Sequence, residues 1–274
     1  DEKRRPIRRS FWSPDSKTVF FVNDQGGDEN FLLYGAHVET GVVKSLTPFQ
    51  KTRVQVIAIS PQVKDRILIG VNNRDPRFHD VHALDLATGA LSLVLKNEGY
   101  GSFVADAGLN LRLATKARAD GGTDYHRVVD GKVEATAFSS VGLEDVQTTR
   151  ALGFTADGKT LYWTDSRGRD TAALLAQDVA GGQVTVLAQN PRADIDDALF
   201  EPRSGRVQAW SSNYLHSEYE ALDAATGADL AHLKMTVRGS FDITSRTEDD
   251  RLWLLAVDSV DAPVSTWLFD RRAR

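Results

Sequence analysis

The feature that most constrains this chain is an internal repeat. A short apolar segment, a turn built on Ser-Pro-Asp or a variant of it, and a second apolar segment recur six times. The turn falls at Pro14, Pro61, Ala107, Ala156, Pro202 and Glu248, at intervals of 47, 46, 49, 46 and 46 residues. Each unit then runs through a polar loop and a third apolar segment, and all but the sixth go on through a glycine turn to a fourth. A period in the forties with four short strands per unit is the pattern of a β-propeller blade. Solenoids of similar period are helical, and the helical apolar rhythm is absent here.

The expected fold is therefore all-β, a β-propeller with about six four-stranded blades visible, read as part of a seven-bladed ring and as one domain over residues 1–274. The blades lie near 8–49, 54–97, 101–140, 148–190, 194–236 and 239–274. Inner strands are expected at Phe11-Trp12, Val54–Ser60, Ser102–Asp106, Arg150–Thr155, Asp197–Phe200 and Phe241–Ser245. Fourth strands are expected after Gly41, Gly89, Gly131, Gly182 and Gly227, where glycine supplies the positive φ of a tight hairpin. The sixth unit shows no fourth strand before Arg274, and Asp1–Ile7 shows no strand to close a ring, so the chain reads as a fragment with an open blade edge prone to self-association.

Composition narrows the function by exclusion. A net charge of −5 argues against a nucleic-acid partner. The absence of cysteine removes disulfides, thiolate catalysis and Cys-ligated metals. No apolar run is long enough for a membrane span, so no membrane partner is expected. Neither a Gly-x-Ser-x-Gly elbow nor a phosphate-binding loop is present. His79 and His82 are close in sequence but would face opposite sides of a strand, so no metal and no cofactor are expected. Asp106, Asp197 and Asp242 could line a propeller axis, yet turn and strand-end roles account for them more simply. Trp12, Trp163, Trp210 and Trp253 read as packing between blades.

The polar loops joining second to third strands share a face with the connections between blades. They are Gln25–Asn30, Asn73–Asp80, Asp120–Asp124, Ser166–Thr171 and Tyr214–Glu218. Function on a rigid scaffold concentrates on such loops. The candidates for contact with substrate or with another domain are Asp28, Glu29, Asn30, Arg74, Asp75, Arg77, Asp80, Arg167, Arg169 and Asp170. Mixed Arg and Asp suit recognition of charged peptide ends or a polar docking face, and equally suit bracing of adjacent blades.

Several segments, in order along nearly the whole chain, resemble the propeller of bacterial S9-family (prolyl oligopeptidase-like) serine peptidases. They are Phe11-Trp12-Ser13-Pro14-Asp15, Asp24 through Tyr34, Ser45-Leu46-Thr47-Pro48-Phe49, Asn73 through Val81, Ser166 through Leu174, Pro202 to Gln208, and Ser245 through Arg251. The resemblance implies a propeller that gates and docks short peptides for a C-terminal α/β-hydrolase domain of the same protein. That domain would carry the Ser, Asp and His of catalysis, so no catalytic residue transfers to this chain. Some relatives hold the substrate's amino terminus with propeller acids; Asp28 and Glu29 are candidates for this by location alone. The alternatives are a free-standing, TolB-like interaction propeller and, behind it, a propeller enzyme with axial carboxylates.

Overall fold

The computed structural model describes residues 6–7 and 9–273. Most of Asp1–Ile7, where no closing strand is expected, lies outside the described residues. The chain folds as six antiparallel sheets, the blades of a β-propeller. Its contacts divide it into two compact units, Asp1–Ala119 with Thr123–Ser140, and Asp120–Gly122 with Val141–Arg274.

The first unit holds three blades. Blade 1 is β1 (Ser10–Trp12), β2 (Thr18–Asn23), β3 (Leu32–His37) and β4 (Val43–Ser45). Blade 2 is β5 (Val54–Ala58), β6 (Arg66–Asp75), β7 (Phe78–Asp85) and β8 (Leu91–Leu95). Blade 3 is β9 (Ser102–Ala105), β10 (Leu111–Ala117), β11 (Thr123–Val129) and β12 (Lys132–Val141). Strand β6 shows why these sequences read as unbroken apolar runs rather than as alternation. Ile67, Ile69 and Val71 pack with Phe20, Leu33 and Leu84 in one cluster. Leu68, on the opposite face, packs with Val81, Phe103 and Leu111 in another. A strand buried on both faces needs apolar residues at every position.

The second unit holds blade 4, β13 (Arg150–Phe154), β14 (Thr160–Asp165), β15 (Ala173–Asp178) and β16 (Val184–Ala188). Blade 5 is β17 (Ile195–Phe200), β18 (Val207–Asn213) and β19 (Ser217–Ala221). Helix α1 (Ala224–Thr236) follows, then blade 6, β20 (Ser240–Arg246), β21 (Leu252–Ser259) and β22 (Ala262–Asp270).

The turn that marks the repeat is one hydrogen-bonded device used again and again. Ser13 Oγ donates to Asp15 at 2.6 Å and accepts the Thr18 amide at 2.9 Å. Thr155 does the same with Asp157 and Thr160, at 2.7 and 3.0 Å. Thr247 repeats it with Asp249 and Leu252, at 2.6 and 3.0 Å. Each turn closes through a residue of positive φ: Ser16 at 60°, Gly158 at 68° and Asp250 at 55°. The side-chain oxygens satisfy amides that the tight reversal takes out of the ladder, which is why Ser, Thr and Asp recur there.

Two expectations are corrected. The fourth strand after Gly227 is absent, and α1 stands in its place with Gly227 inside it. Asp223 caps α1 by accepting the Thr226 amide. Leu230 and Leu233, one helical turn apart, bury against Trp253, Leu255 and Phe269. The residues after Gly227, Ala-Asp-Leu-Ala-His-Leu-Lys-Met, are mostly good helix formers and lack the β-branched content of a strand. The second correction concerns the tryptophans. Trp163 and Trp253 are buried, but Trp12, at the end of the sheet-edge strand β1, is 54% exposed.

Gly205 carries one close approach between blades. At φ 65°, a Cβ there would lie 2.7 Å from the Phe154 carbonyl oxygen, while the neighbouring Ser204 carbonyl accepts the Ala156 amide at 2.8 Å. Gly205→Ala is therefore expected to destabilise the chain by about 1–3 kcal/mol. Urea unfolding followed by tryptophan fluorescence checks this; an unchanged midpoint would contradict it.

Candidate functional site

In the first unit the loops between second and third strands meet the connections between blades, as the strand directions require. The Val54 amide, opening blade 2, bonds to the Phe31 carbonyl at the end of the β2–β3 loop. Asn97, on the link from blade 2 to blade 3, donates from its backbone amide to Asp80 and from its side chain to the His79 carbonyl. This face is the candidate site.

The β2–β3 loop is tied internally. Buried Asp24 accepts the Glu29 amide at 3.2 Å, and Glu29 takes φ 59°. Asp28 accepts both the backbone amide and the side-chain amide of Asn30, at 3.0 and 2.9 Å. Those bonds hold its carboxyl below the usual range. Asp28 and Glu29 are both exposed, so the loop displays two acids on a fixed backbone.

The expected eight-residue loop Asn73–Asp80 is instead a prolongation of the β6–β7 hairpin, with Asp75 paired to Phe78. Its charges fall into two pairs of different character. Arg74 grips Asp80 with two parallel bonds, 2.6 and 2.7 Å, and donates to the Asn97 carbonyl at 2.7 Å. Asp80 is only 4% exposed, and the Arg74 guanidinium lowers its pKa. This pair braces the hairpin against the inter-blade link. Arg77 grips Asp75 at 3.1 and 2.8 Å in the open, with its guanidinium carbon 5.1 Å from the Phe78 ring centre. Arg77 brings the Asp75 carboxyl down to about 2. His79 lies beside Arg53; burial, and then that charge, push its pKa down.

The second unit repeats the design with different residues. Arg167 clamps buried Asp165, with its closest contact at 2.6 Å. Burial alone would raise the Asp165 pKa, but the Arg167 guanidinium and the Arg167 amide outweigh it and the net direction is down. Arg169 reaches back to the Arg167 carbonyl at 3.0 Å, and Asp170 is exposed. Ser166 gathers Thr148 at 2.6 Å and Asp145 at 2.7 Å, both on the link that leads into blade 4. Asp194 accepts the Ala172 amide at 2.6 Å. Burial, and then Asp194, push the Asp196 carboxyl up.

The acids considered for an axis have local partners. Asp106 accepts the Gly108 and Asn110 amides and pairs with Arg112 at 3.2 Å. Asp197 accepts the Ala198 amide, and Asp242 accepts Ser217 Oγ. Among the described residues, no group of three or more His, Asp or Glu could hold a metal ion. No helix among them is long and apolar enough to cross a membrane.

Sequence reasoning missed the densest polar cluster in the second unit. Asp250 receives Arg246 at 3.0 Å, Trp253 Nε1 at 2.8 Å and Gln208 at 2.9 Å, and it also receives Arg271. Arg246 donates to Gln208 Oε1 at 2.7 Å and to the Phe200 carbonyl. Arg271 pairs with Asp229 of α1 at 2.6 Å and stacks over Trp253 at 4.7 Å. The group ties blade 5, α1 and blade 6 together. The Ser245–Arg251 motif held part of the signal, but Asp229 and Arg271 come from elements that the motif does not cover.

No protein-family model matches the chain. Over 271 residues, 98% of its length, the chain is 43% identical to dipeptidyl aminopeptidase BIII of Pseudoxanthomonas mexicana, covering 39% of that protein. It is 27% identical over 291 residues to dipeptidyl peptidase family member 6 of Caenorhabditis elegans, covering 98% of this chain and 38% of that one. The chain thus spans about two fifths of the length of these curated relatives. Among solved structures it resembles an oligogalacturonate lyase in complex with manganese, with TM-score 0.63 and 13% identity, covering 98% of this chain and 75% of that one. It resembles a structure from a study of two prolyl endopeptidases, with TM-score 0.60 and 13% identity, covering 97% and 40%. TolB from Acinetobacter baumannii follows at TM-score 0.50 and 16% identity, covering 96% and 60%. At such identities the structural likenesses establish the fold alone. Fold and sequence together make the chain a β-propeller. By sequence it is related to dipeptidyl aminopeptidase BIII over the matched stretch, in keeping with the resemblance of its motifs to S9-family, prolyl oligopeptidase-like propellers.

Two outcomes follow from the site's electrostatics. Asp75 and Asp270 are held at about 2 by Arg77 and Arg251, and Asp80 and Asp165 are also depressed. Unfolded aspartates titrate near ~3.9, so between the two states' pKa values the unfolded chain binds more protons. The stabilisation is complete above about pH 4–5 and is lost as pH falls toward about 2. The urea midpoint should drop across that window; a flat profile would contradict the pairing. Asp250→Ala should cost about 3–5 kcal/mol by leaving buried guanidinium groups uncompensated. Urea titration of the variant measures it, and a loss under 1 kcal/mol, on the order of a surface pair, would overturn the assignment.

Proposed function

We propose that the chain is the non-catalytic propeller of a serine oligopeptidase, gating and docking short peptides for an α/β-hydrolase domain elsewhere in the same polypeptide. The observation that carries this reading is the 43% identity with dipeptidyl aminopeptidase BIII along 98% of the chain. Coverage of 39% of that protein leaves ample length in the relative for a separate catalytic domain. The absence of a Gly-x-Ser-x-Gly elbow within the 274 residues agrees with a supporting role.

The rim residues then divide by task. Arg74 with Asp80, and Arg167 with Asp165, keep the loop faces in shape. Asp28, Glu29, Asn30, Asp75, Arg77, Arg169 and Asp170 are the groups presented to a peptide or to the hydrolase. An exposed carboxylate pair at Asp28 and Glu29 suits a cationic peptide terminus, and Arg77 suits an anionic one. A rigid polar rim favours peptides that enter in one orientation, which raises the effective concentration of the reacting bond.

The test compares the 274-residue chain with its complete polypeptide, using chromogenic dipeptidyl substrates and a folded protein substrate. The complete polypeptide should cleave the short substrates and spare the folded one, and the chain alone should be inert. Hydrolysis by the chain alone, blocked by a serine-directed reagent, would overturn the reading. In the complete polypeptide, combined Asp28→Asn and Glu29→Gln substitution should raise KM for peptides with a free amino terminus several-fold and leave kcat nearly unchanged. Equal effects on blocked and free peptides would count against the contact.

A further inference from the structure

Blades 2 and 3 enclose a cavity that the proposed function leaves unused. It measures about 450 Å³, within the range of ligand pockets, and lies between the link that leaves β8 and the strands β10 and β12. Three lysines from three elements line it: Lys96 on the link, Lys116 near the end of β10 and Lys132 at the start of β12. Lys116 shares a face of blade 3 with Ala114, which is buried in one cluster with Leu95 and Phe103. The turn at Gly131 sets β12 against β8, where a Cβ on Gly131 would lie 3.7 Å from the Val94 carbonyl oxygen. The floor is apolar: Leu95 is buried and packs with Tyr100 and Val133. Charges interact more strongly beside such a floor than in open water.

The positive charge in the cavity is not cancelled. Glu98, the acid among its lining residues, is taken by Lys96 at 2.9 Å. Asp124, across the ladder from Lys116, accepts Ser140 Oγ at 2.6 Å and pairs with Arg118 at 3.8 Å. Lys116 and Lys132 enter no ion pair among the described residues. A buried polar group beside the cavity is also unsatisfied. His126 bonds through Nδ1 to the Glu134 carbonyl of β12 at 2.9 Å, and its ring meets that of Tyr100 edge-on at 5.7 Å. Its Nε2 is buried and has no partner.

We propose that this cavity binds a small anion carrying two or more phosphoryl groups. The residue type selects phosphoryl over carboxylate. The chain grips Asp75, Asp80, Asp165 and Asp270 with arginines, whose planar fork matches a carboxylate. Among the described residues no arginine lines the cavity. Lysine is a point charge without a fork, so it suits the clustered charge of a phosphoryl group. Ammonium groups on three separate elements suit an anion whose charge is spread over more than one such group. Asn97, which Arg74 and Asp80 hold at the candidate site, follows Lys96 directly, so an occupied cavity braces the same link.

Isothermal titration of the 274-residue chain with sodium pyrophosphate should give one saturable site per chain, weakening as sodium chloride is raised. K116Q/K132Q, at exposed positions, should keep the urea midpoint and bind pyrophosphate about tenfold more weakly or worse. K17Q/K159Q, exposed lysines on turns of blades 1 and 4, should bind as the unmodified chain does. Citrate should bind about tenfold more weakly than pyrophosphate or worse. Lysine acetylation read by mass spectrometry should show pyrophosphate protecting Lys116 and Lys132 and not Lys17. The proposal is overturned by an absence of saturable binding below about 10 mM, by equal losses in the two double variants, or by protection spread evenly over all lysines. Citrate binding as tightly as pyrophosphate also overturns it, because the cavity then takes carboxylates.

Discussion

Burial of both faces of the middle strands is the constraint on which the rest depends. A blade standing alone would expose one face of strands such as β6, where Ile67, Leu68, Ile69 and Val71 are all essentially inaccessible. Each fully buried side chain of this size contributes about 1.5–3 kcal/mol relative to exposure. Blades therefore have to stack, and the stacking sets what the linking segments can do. Every link between blades must cross from an outer strand to the next inner one while leaving no buried amide unsatisfied. That requirement explains the recurring Ser, Thr, Asp and Asn at turns and links better than surface polarity does.

The arginine–carboxylate pairs are a second layer on this plan. At the buried carboxylates of Asp80, Asp165, Asp229 and Asp250 the partner is an arginine, supplied within the same hairpin or turn for the first two and from the end of blade 6 for the last two. A lysine could supply the charge but not the parallel pair of bonds that Arg74 makes. Such pairs fix the register of loops whose apolar content is low. Asp250 shows the cost of this arrangement. It occupies a positive-φ turn position that blade 4 gives to glycine, and its four side-chain donors keep it there.

Most of the fold was legible because repeat, turn chemistry and apolar runs agreed with one another. The inner and second strands fall within a residue or two of the positions their patterns imply, except β6, which runs four residues further, to Asp75. The failure at Gly227 has a specific cause. Asp85-Leu-Ala-Thr-Gly-Ala and Asp223-Ala-Ala-Thr-Gly-Ala are nearly the same hexapeptide. In both, the aspartate accepts the threonine amide, and the glycine amide bonds back to the aspartate carbonyl. The first becomes a hairpin with Gly89 at φ 75°, and the second becomes the start of a helix. The local sequence is satisfied by either outcome, and the residues that follow decide between them. The candidate rim was legible as a location and not as a set of partners. Arg74 finds Asp80 only once the hairpin register is known, and the Asp250 cluster joins residues from five separate elements, β17, β18, α1, β20 and β21.

Helix α1 also changes how the second unit holds together over time. A fourth strand would be stitched to β19 by main-chain bonds, all of which must break before it can leave. The helix keeps its main-chain bonds to itself and adheres through side chains such as Leu230, Leu233 and Asp229. Its release would break those side-chain contacts but no inter-strand ladder. Openings of this kind are sub-global, with free energies below that of complete unfolding. One margin of the second unit is accordingly fastened by side chains where the other blades are fastened by main-chain ladders.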